Sequence, residues 1–251
     1  MVHFVGAGSG AVDLITLRGA KLLSEADVVI YAGSLVNPEL LSYTKDGCEI
    51  HDSAKLTLEQ VIGIIQSAEA SGKTTVRLHT GDPSIYGAVR EQYDALDALG
   101  IAFDICPGVS AFCGAAAALR AEYTLPDVAQ TVIITRAAGH TSVPDREGIR
   151  DLARHGATMV LFLSTALADE VQRQLIEGGC DPQTPAAVVY KATWPDERIY
   201  RCTVGTLAHT VRENGLTKTA LIVAGAFLGD DYARSRLYDP GFETGYRQVT
   251  T

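Results

Sequence analysis

The chain has 251 residues, 47% of them hydrophobic and 20% charged, the balance of one large or two modest globular domains and not of a disordered chain. A formal charge of −9 argues against a general nucleic-acid or anionic-membrane surface, since both need a basic field, and leaves room only for local basic pockets. Cys48, Cys106, Cys113, Cys180 and Cys202 lack CxxC spacing, so they read as buried thiols of a cytoplasmic protein and not as a disulfide framework or a zinc site.

Residues 2–5 are a short apolar strand that runs into the glycine-rich loop GAGSG, and Thr16 opens a helix through residue 26. The loop passes a loose dinucleotide test, but the next strand, 28–31, lacks the terminal carboxylate that would hold a ribose. A nicotinamide or flavin site at this loop is therefore the rival reading. Residues 33–38 are rich in turn formers, 49–51 are extended, and Asp52 with Ser53 turns the chain. Thr57 with Gln60 predicts a capping box, and Leu58, Val61, Ile62 and Ile65 give the next helix its buried face.

The stretch LHTGDPSIYG, residues 78–87, follows a β-branched run and reads as strand, turn and helix. Ile85, Val89, Tyr93, Leu96 and Leu99 share one helical face, Asp82 is placed to cap it, and Pro83 suits a first turn. Gly81 allows the backbone close to a ligand, and ligands sit at such strand-end turns in open α/β sheets. On local chemistry alone, a well-capped turn without a ligand is an equal reading. His79 lies inside the strand, where a core histidine is the commoner case.

Residues 102–105 are a further strand, and Ser110 can cap an alanine-rich helix through residue 119. That run is too short to span a bilayer. Strand and helix have alternated to this point, as a parallel sheet requires. Residues 121–130 break the alternation and divide the chain into domains 1–120 and 121–251. Strands follow at 131–135, 158–163, 186–190, 199–204 and 220–223, with helices at 166–177 and 206–214. Two of these strands are consecutive, which predicts a hairpin and a mixed sheet. The polar loop 136–146, with Gly139, His140 and Pro144, is longer than an idle connection usually is. Hydrolytic and metal machinery is missing from the sequence: there is no GxSxG, no Walker loop, no HExxH and no convincing ligand set, so no metal is expected.

VGAGSGAVDLITLRG, GDPSIYG and CPGVSAF, in that order, resemble the signature segments of the tetrapyrrole methylases. YAGSLVNPELL, HDSAKLTLEQ, LPDVAQTVIITR and ATWPDERIYRCTVGTL resemble the branch of that family that methylates C11 of precorrin-4 in cobalamin biosynthesis. The resemblance implies two α/β domains, the first with a mostly parallel sheet and the second with a mixed one, and S-adenosylmethionine in the cleft between them. It also implies a homodimer. Carried over by position, it implies cofactor contacts at Ser9, where relatives usually have proline, and at Gly81, Asp82, Ile85, Ser110 and Ala111. Further contacts are implied at Leu163, where relatives often have methionine, and at Ala192, Thr219 and Ala220.

Methyl transfer needs chiefly an in-line approach and little proton shuttling, which suits a chain without acid-base equipment. A substrate with many carboxylates calls for local cations, and Arg120, Arg136, Lys191 and Arg198 lie in or beside the matching segments. If a base removes a proton, Asp52, Tyr86 and Glu122 stand at the implied positions. A cobalt-containing substrate, another methylation position and a non-catalytic tetrapyrrole binder stay open at this level.

Overall fold

In a computed structural model, residues 1–139 and 141–248 are described, so His140 of the polar loop lies outside the described residues. The chain forms two compact units, one of Met1–Ala115 with Lys191–Glu197, the other of Ala116–Tyr190 with Arg198–Thr251.

The first unit is built on β1 (Val2–Gly6), β2 (Val28–Tyr31), β3 (Glu49–Asp52), β4 (Thr75–His79) and β5 (Phe103–Cys106), all parallel, in the order β3-β2-β4-β1-β5. The connections are α1 (Leu17–Glu25) after β1, α2 (Leu58–Ala70) after β3 and α3 (Arg90–Ala98) after β4, and α4 (Ala111–Leu119) follows β5. Strand alternation sorts the core into two layers. Val5, Val29, Val76 and Leu78 pack with Leu23 and Leu40 on one face, and Phe4, Ile30, Ile62, Ile65 and Leu96 pack on the other. Thr16 caps α1, and the expected Thr57–Gln60 capping box is present on α2.

The chain after β1 leaves towards β2, whereas the chain after β4 leaves towards β5 across β1. The carboxyl ends of β1 and β4 therefore flank the point where the winding reverses, the position at which such sheets take ligands.

The second unit holds β6 (Val132–Arg136), β7 (Thr158–Phe162), β8 (Pro185–Tyr190), β9 (Arg198–Thr203) and β10 (Ala220–Ala224), in the order β6-β7-β10-β8-β9. β6 and β7 are parallel, β10 runs antiparallel to both β7 and β8, and β8 and β9 form the expected hairpin. Helices α5 (Ile149–Ala153), α6 (Ala168–Glu177) and α7 (Leu207–Glu213) cover a core of Met159, Leu161, Val188, Val204, Leu207 and Ile222. The five-residue α5 carries no recognisable cap and is not visible as a pattern in the sequence.

Two expectations change. The helix after the GDPSIYG segment starts at Arg90 and not beside Pro83, because Tyr86 and Ala88 take left-handed φ of 54° and 48° and break any helix there. Leu99 at its far end is exposed, so the buried face is narrower than the spacing implied. The cysteines are free, but only Cys106 is buried, and Cys113 is exposed.

Candidate functional site

Three glycines bring the first-unit loops together at backbone level. A Cβ on Gly6, at the end of β1, would lie 2.6 Å from Gly108 Cα and from the Gly81 carbonyl oxygen, and one on Gly108 would lie 2.2 Å from that same oxygen. Side chains of any size are excluded at both positions. Gly8 and Gly81 then exchange main-chain hydrogen bonds, with Gly81 N–H donating to Gly8 O at 2.9 Å and Gly8 N–H to Gly81 O at 3.3 Å. At φ +60° Gly81 takes a conformation that favours glycine, and its Cβ position faces Ser110 Cα at 3.4 Å and Ala111 N at 3.5 Å. Of the residues named from the sequence, Gly81, Ser110 and Ala111 are thus in contact.

Asp82 joins them through its carboxylate. Oδ2 accepts the Gly108 N–H at 2.8 Å and Oδ1 accepts the Ser84 N–H at 2.8 Å. Partial burial pushes its carboxyl pKa up, but the hydrogen bonds from Ser84 and Gly108 outweigh this and hold it below the ordinary value. Its work is to tie the β4 and β5 loops together, in place of the helix capping expected of it. Ile85 is half-buried in the turn that follows, with its N–H on Asp82 O at 3.2 Å.

Ser9 is buried on the other side of the same loop. Its hydroxyl lies 3.1 Å from that of Thr193, which also accepts the Ala11 N–H at 3.0 Å. Asn37, also buried, donates to Gly10 O at 2.9 Å. Ala192 is buried, and its carbonyl oxygen would lie 2.8 Å from a Cβ on Gly10. Sequence reasoning missed Asn37 and Thr193. Their signal was present in the matching segments NPELL and ATWPDER, but a hydroxyl or amide in a loop says nothing of its partner.

In the second unit, the antiparallel pairing of β7 with β10 places Leu163, which follows β7, near the start of β10 at Ala220. Leu163 has φ +52° and is 64% exposed, an unusual presentation for a leucine. Ser164, fully buried, supports it by donating to Phe162 O at 2.6 Å and accepting the Ala137 N–H at 2.7 Å. Thr165 donates to Ala220 O at 3.0 Å, and Thr219 beside it has φ +56°.

Among the described residues, the non-glycine positions with left-handed φ are Tyr86, Ala88, Arg120, Asp127, Leu163, Lys191, Thr193 and Thr219. Tyr86, Arg120, Leu163, Lys191 and Thr219 were all named from the sequence. Such conformations cost about 1–3 kcal/mol each and gather where a fold over-determines its functional loops.

The candidate cations differ in what already holds them. Arg136 donates to the carbonyls of Ala137, Thr141 and Ser142, so it braces its own loop. Lys191 pairs with Asp196 at 2.7 Å and sits 5.0 Å from the Trp194 ring centre. Arg198 lies 6.0 Å from the Tyr190 ring. Arg120 is exposed and forms no ion pair among the described residues. Among the candidate bases, Asp52 Oδ1 accepts the N–H groups of Gly33 and Ala54 at 3.1 and 3.0 Å, and Glu122 accepts from Thr124 at 3.4 Å. Tyr86 is 44% exposed. Among the described residues no three His, Cys, Asp or Glu side chains are grouped as a metal would need, and no helix is long and apolar enough to cross a membrane.

The chain is 52% identical over 98% of its length to a cobalt-precorrin-4 C(11)-methyltransferase of Methanocaldococcus jannaschii, covering 96% of that protein. It is 45% identical over 98% of its length to a precorrin-4 C(11)-methyltransferase of Mycobacterium tuberculosis, of which it covers 99%. A solved structure of a cobalamin biosynthetic enzyme, cobalt precorrin-4 methyltransferase, aligns with a TM-score of 0.89 and 48% identity, over 91% of this chain and 96% of that one. The model of the tetrapyrrole (corrin/porphyrin) methylases matches residues 1–208, and with these relatives it shows that the chain belongs to that family.

Proposed function

We propose that this chain transfers a methyl group from S-adenosylmethionine to C11 of precorrin-4, giving precorrin-5 on the route to cobalamin. The observation that carries the reading is 45% and 52% identity to C(11)-methyltransferases over 98% of the chain, together with a glycine junction at the sheet's winding reversal. A second reading takes the same reaction on cobalt-precorrin-4, and it is favoured by the more similar of the two relatives. When bound, S-adenosylmethionine supplies an electrophilic methyl carbon, which the substrate carbon takes with its electron pair as the C–S bond breaks and S-adenosylhomocysteine is left.

The residues present suit that ligand. Gly8 and Gly81 carry no side chains and their Cβ positions face backbone atoms of Leu14, Ser110 and Ala111, so the loops present main-chain groups that an adenosyl group can meet closely. Asp82 keeps that surface in shape through Gly108, while Ser9, Ile85, Ala111 and Ala192 line the same loops. In the second unit, Leu163, Thr219 and Ala220 are the proposed contacts. Arg120 is the first choice as a partner for substrate carboxylates, because no ion pair among the described residues competes for it, with Arg136, Lys191 and Arg198 beside it in the proposal. Asp52, Tyr86 and Glu122 remain the candidate bases. Asp52→Asn keeps an acceptor for Gly33 or Ala54 while removing the charge, so lost turnover in a stable variant would support Asp52 and full turnover would remove it. We place the protein in the cytoplasm as a homodimer, which sedimentation at micromolar concentration tests.

The deciding experiment incubates the pure protein with methyl-labelled S-adenosylmethionine and precorrin-4, metal-free and cobalt-loaded in parallel, with mass and carbon NMR analysis. Label at C11 is expected, and the faster substrate assigns the route. Label at another carbon would replace the regiochemistry, and failure to bind the methyl donor would end the methyltransferase reading.

A further inference from the structure

We infer that Thr193 is the positioning residue of the cofactor loop, acting through Ser9 and Ala11 on the Gly8–Gly81 bridge; the inference rests on the cofactor reading above. Three independent features of the first unit converge on this side chain. Its hydroxyl is the shared partner of two groups in the glycine-rich loop, the Ala11 N–H at 3.0 Å and the Ser9 hydroxyl at 3.1 Å. Two residues upstream of Gly10 in that loop, Gly8 carries both main-chain bonds to Gly81. A shift at Ser9 is therefore one peptide away from the turn that frames the proposed site.

The second feature is strain. Thr193 has φ +68°, which for a β-branched side chain is a true outlier and persists only where surrounding contacts impose it. Those contacts are visible. Its N–H donates to Glu197 Oε2 at 2.6 Å, Trp194 N–H donates to Lys191 O at 3.0 Å, and Glu197 N–H donates to Trp194 O at 3.0 Å. The segment Lys191–Glu197 is thus a closed turn that aims one hydroxyl at the loop.

The third feature is the space left for it. A Cβ on Gly114 in α4 would lie 2.9 Å from Ser9 Oγ and 3.2 Å from Thr193 Cγ2, and one on Gly10 would lie 2.1 Å from Trp194 Cδ1. Glycine at both positions admits this turn against the loop and the helix. Packing alone would be satisfied by valine, which has the shape of threonine. The hydroxyl is what two loop groups use.

Thr193→Val, Thr193→Ser and Thr193→Gly test this on the full chain, with S-adenosylhomocysteine titrated calorimetrically and Trp194, the chain's one tryptophan, read by fluorescence. Thr193→Val is expected to weaken binding at least tenfold while Tm falls by no more than about 4 °C, the shift of about 1 kcal/mol in a chain this size. Thr193→Ser, which keeps the hydroxyl, is expected to bind within about twofold of the parent, since a factor of two is well under 1 kcal/mol. Thr193→Gly relieves the backbone strain but has no hydroxyl, and is expected to bind as weakly as the valine variant. Parent-like binding by Thr193→Val would overturn the inference, as would equal losses in the serine and valine variants. If the parent chain itself binds no S-adenosylhomocysteine, the cofactor reading falls and this inference falls with it.

Discussion

His79 and Asp82 stand three residues apart at one strand end and are handled in opposite ways. Asp82 is half-exposed and fully partnered, whereas His79 is 4% exposed and its Nε2 has no hydrogen-bond partner among the described residues, its ring stacked 5.9 Å from Phe4. Burial, and after it the charge of Arg77, lowers the His79 pKa from 6.5 to about 3, so the folded protein holds the ring neutral. The unfolded chain protonates it near pH 6.5. Stability from this group is therefore complete above that pH, is lost progressively as pH falls, and levels off near pH 3, amounting to roughly a few kcal/mol. Urea midpoints measured across this window should fall for the parent and fall less for His79→Phe; parallel curves would show that another group dominates acid unfolding. The Asp82 carboxyl, held below its ordinary value, adds in the same direction at lower pH. Asp82→Ala leaves the Gly108 and Ser84 N–H groups unpaired, so it should cost about 1–3 kcal/mol and weaken S-adenosylhomocysteine binding. Unchanged affinity in calorimetry would remove the loop tie from the account of binding.

Elements meet at the site through main chain, and this makes the glycines the sensitive positions. Gly108→Ala would drive a methyl to 2.2 Å from Gly81 O, so one of the loops after β1, β4 or β5 must move. A loss of about 2 kcal/mol or more in urea unfolding is expected, with binding of S-adenosylhomocysteine lost. A variant as stable and as tight as the parent would mean that the junction yields easily. Much of this level was legible beforehand. The alternation of strand and helix, the capping box on α2 and the β8–β9 hairpin all follow from short-range patterns that the fold respects. The start of α3 did not follow. Ile85 to Leu99 has helical spacing throughout, but the left-handed φ at Tyr86 and Ala88 breaks a helix before Arg90, and neither side chain announces it.

At the scale of the whole molecule, an acidic chain is proposed to take a polycarboxylate, and the cations must act locally. Arg120→Ala should raise substrate KM about tenfold or more while S-adenosylhomocysteine affinity changes less than twofold, as expected if a charge-assisted pair worth roughly 1.5–3 kcal/mol is lost. Equal losses in both would indicate damage to the fold instead. If exposed cations recruit the substrate, KM should also rise with salt, because such attractions are screened within about 8–10 Å at 0.1–0.15 M.

Composition, hydrophobic period and turn chemistry by themselves determined an α/β chain with a parallel first half and a mixed second half, and the signature segments marked the loops proposed to hold the cofactor. These are local properties, written in residues a few positions apart. Only the tertiary structure decided which loops touch. Gly6, Gly81 and Gly108 are separated by 75 and 27 positions and meet because parallel strands align their carboxyl ends. The partnership of Ser9 with Thr193 spans 184 positions. Contacts of that range are set by strand order and packing, for which no spacing rule within the chain is a substitute.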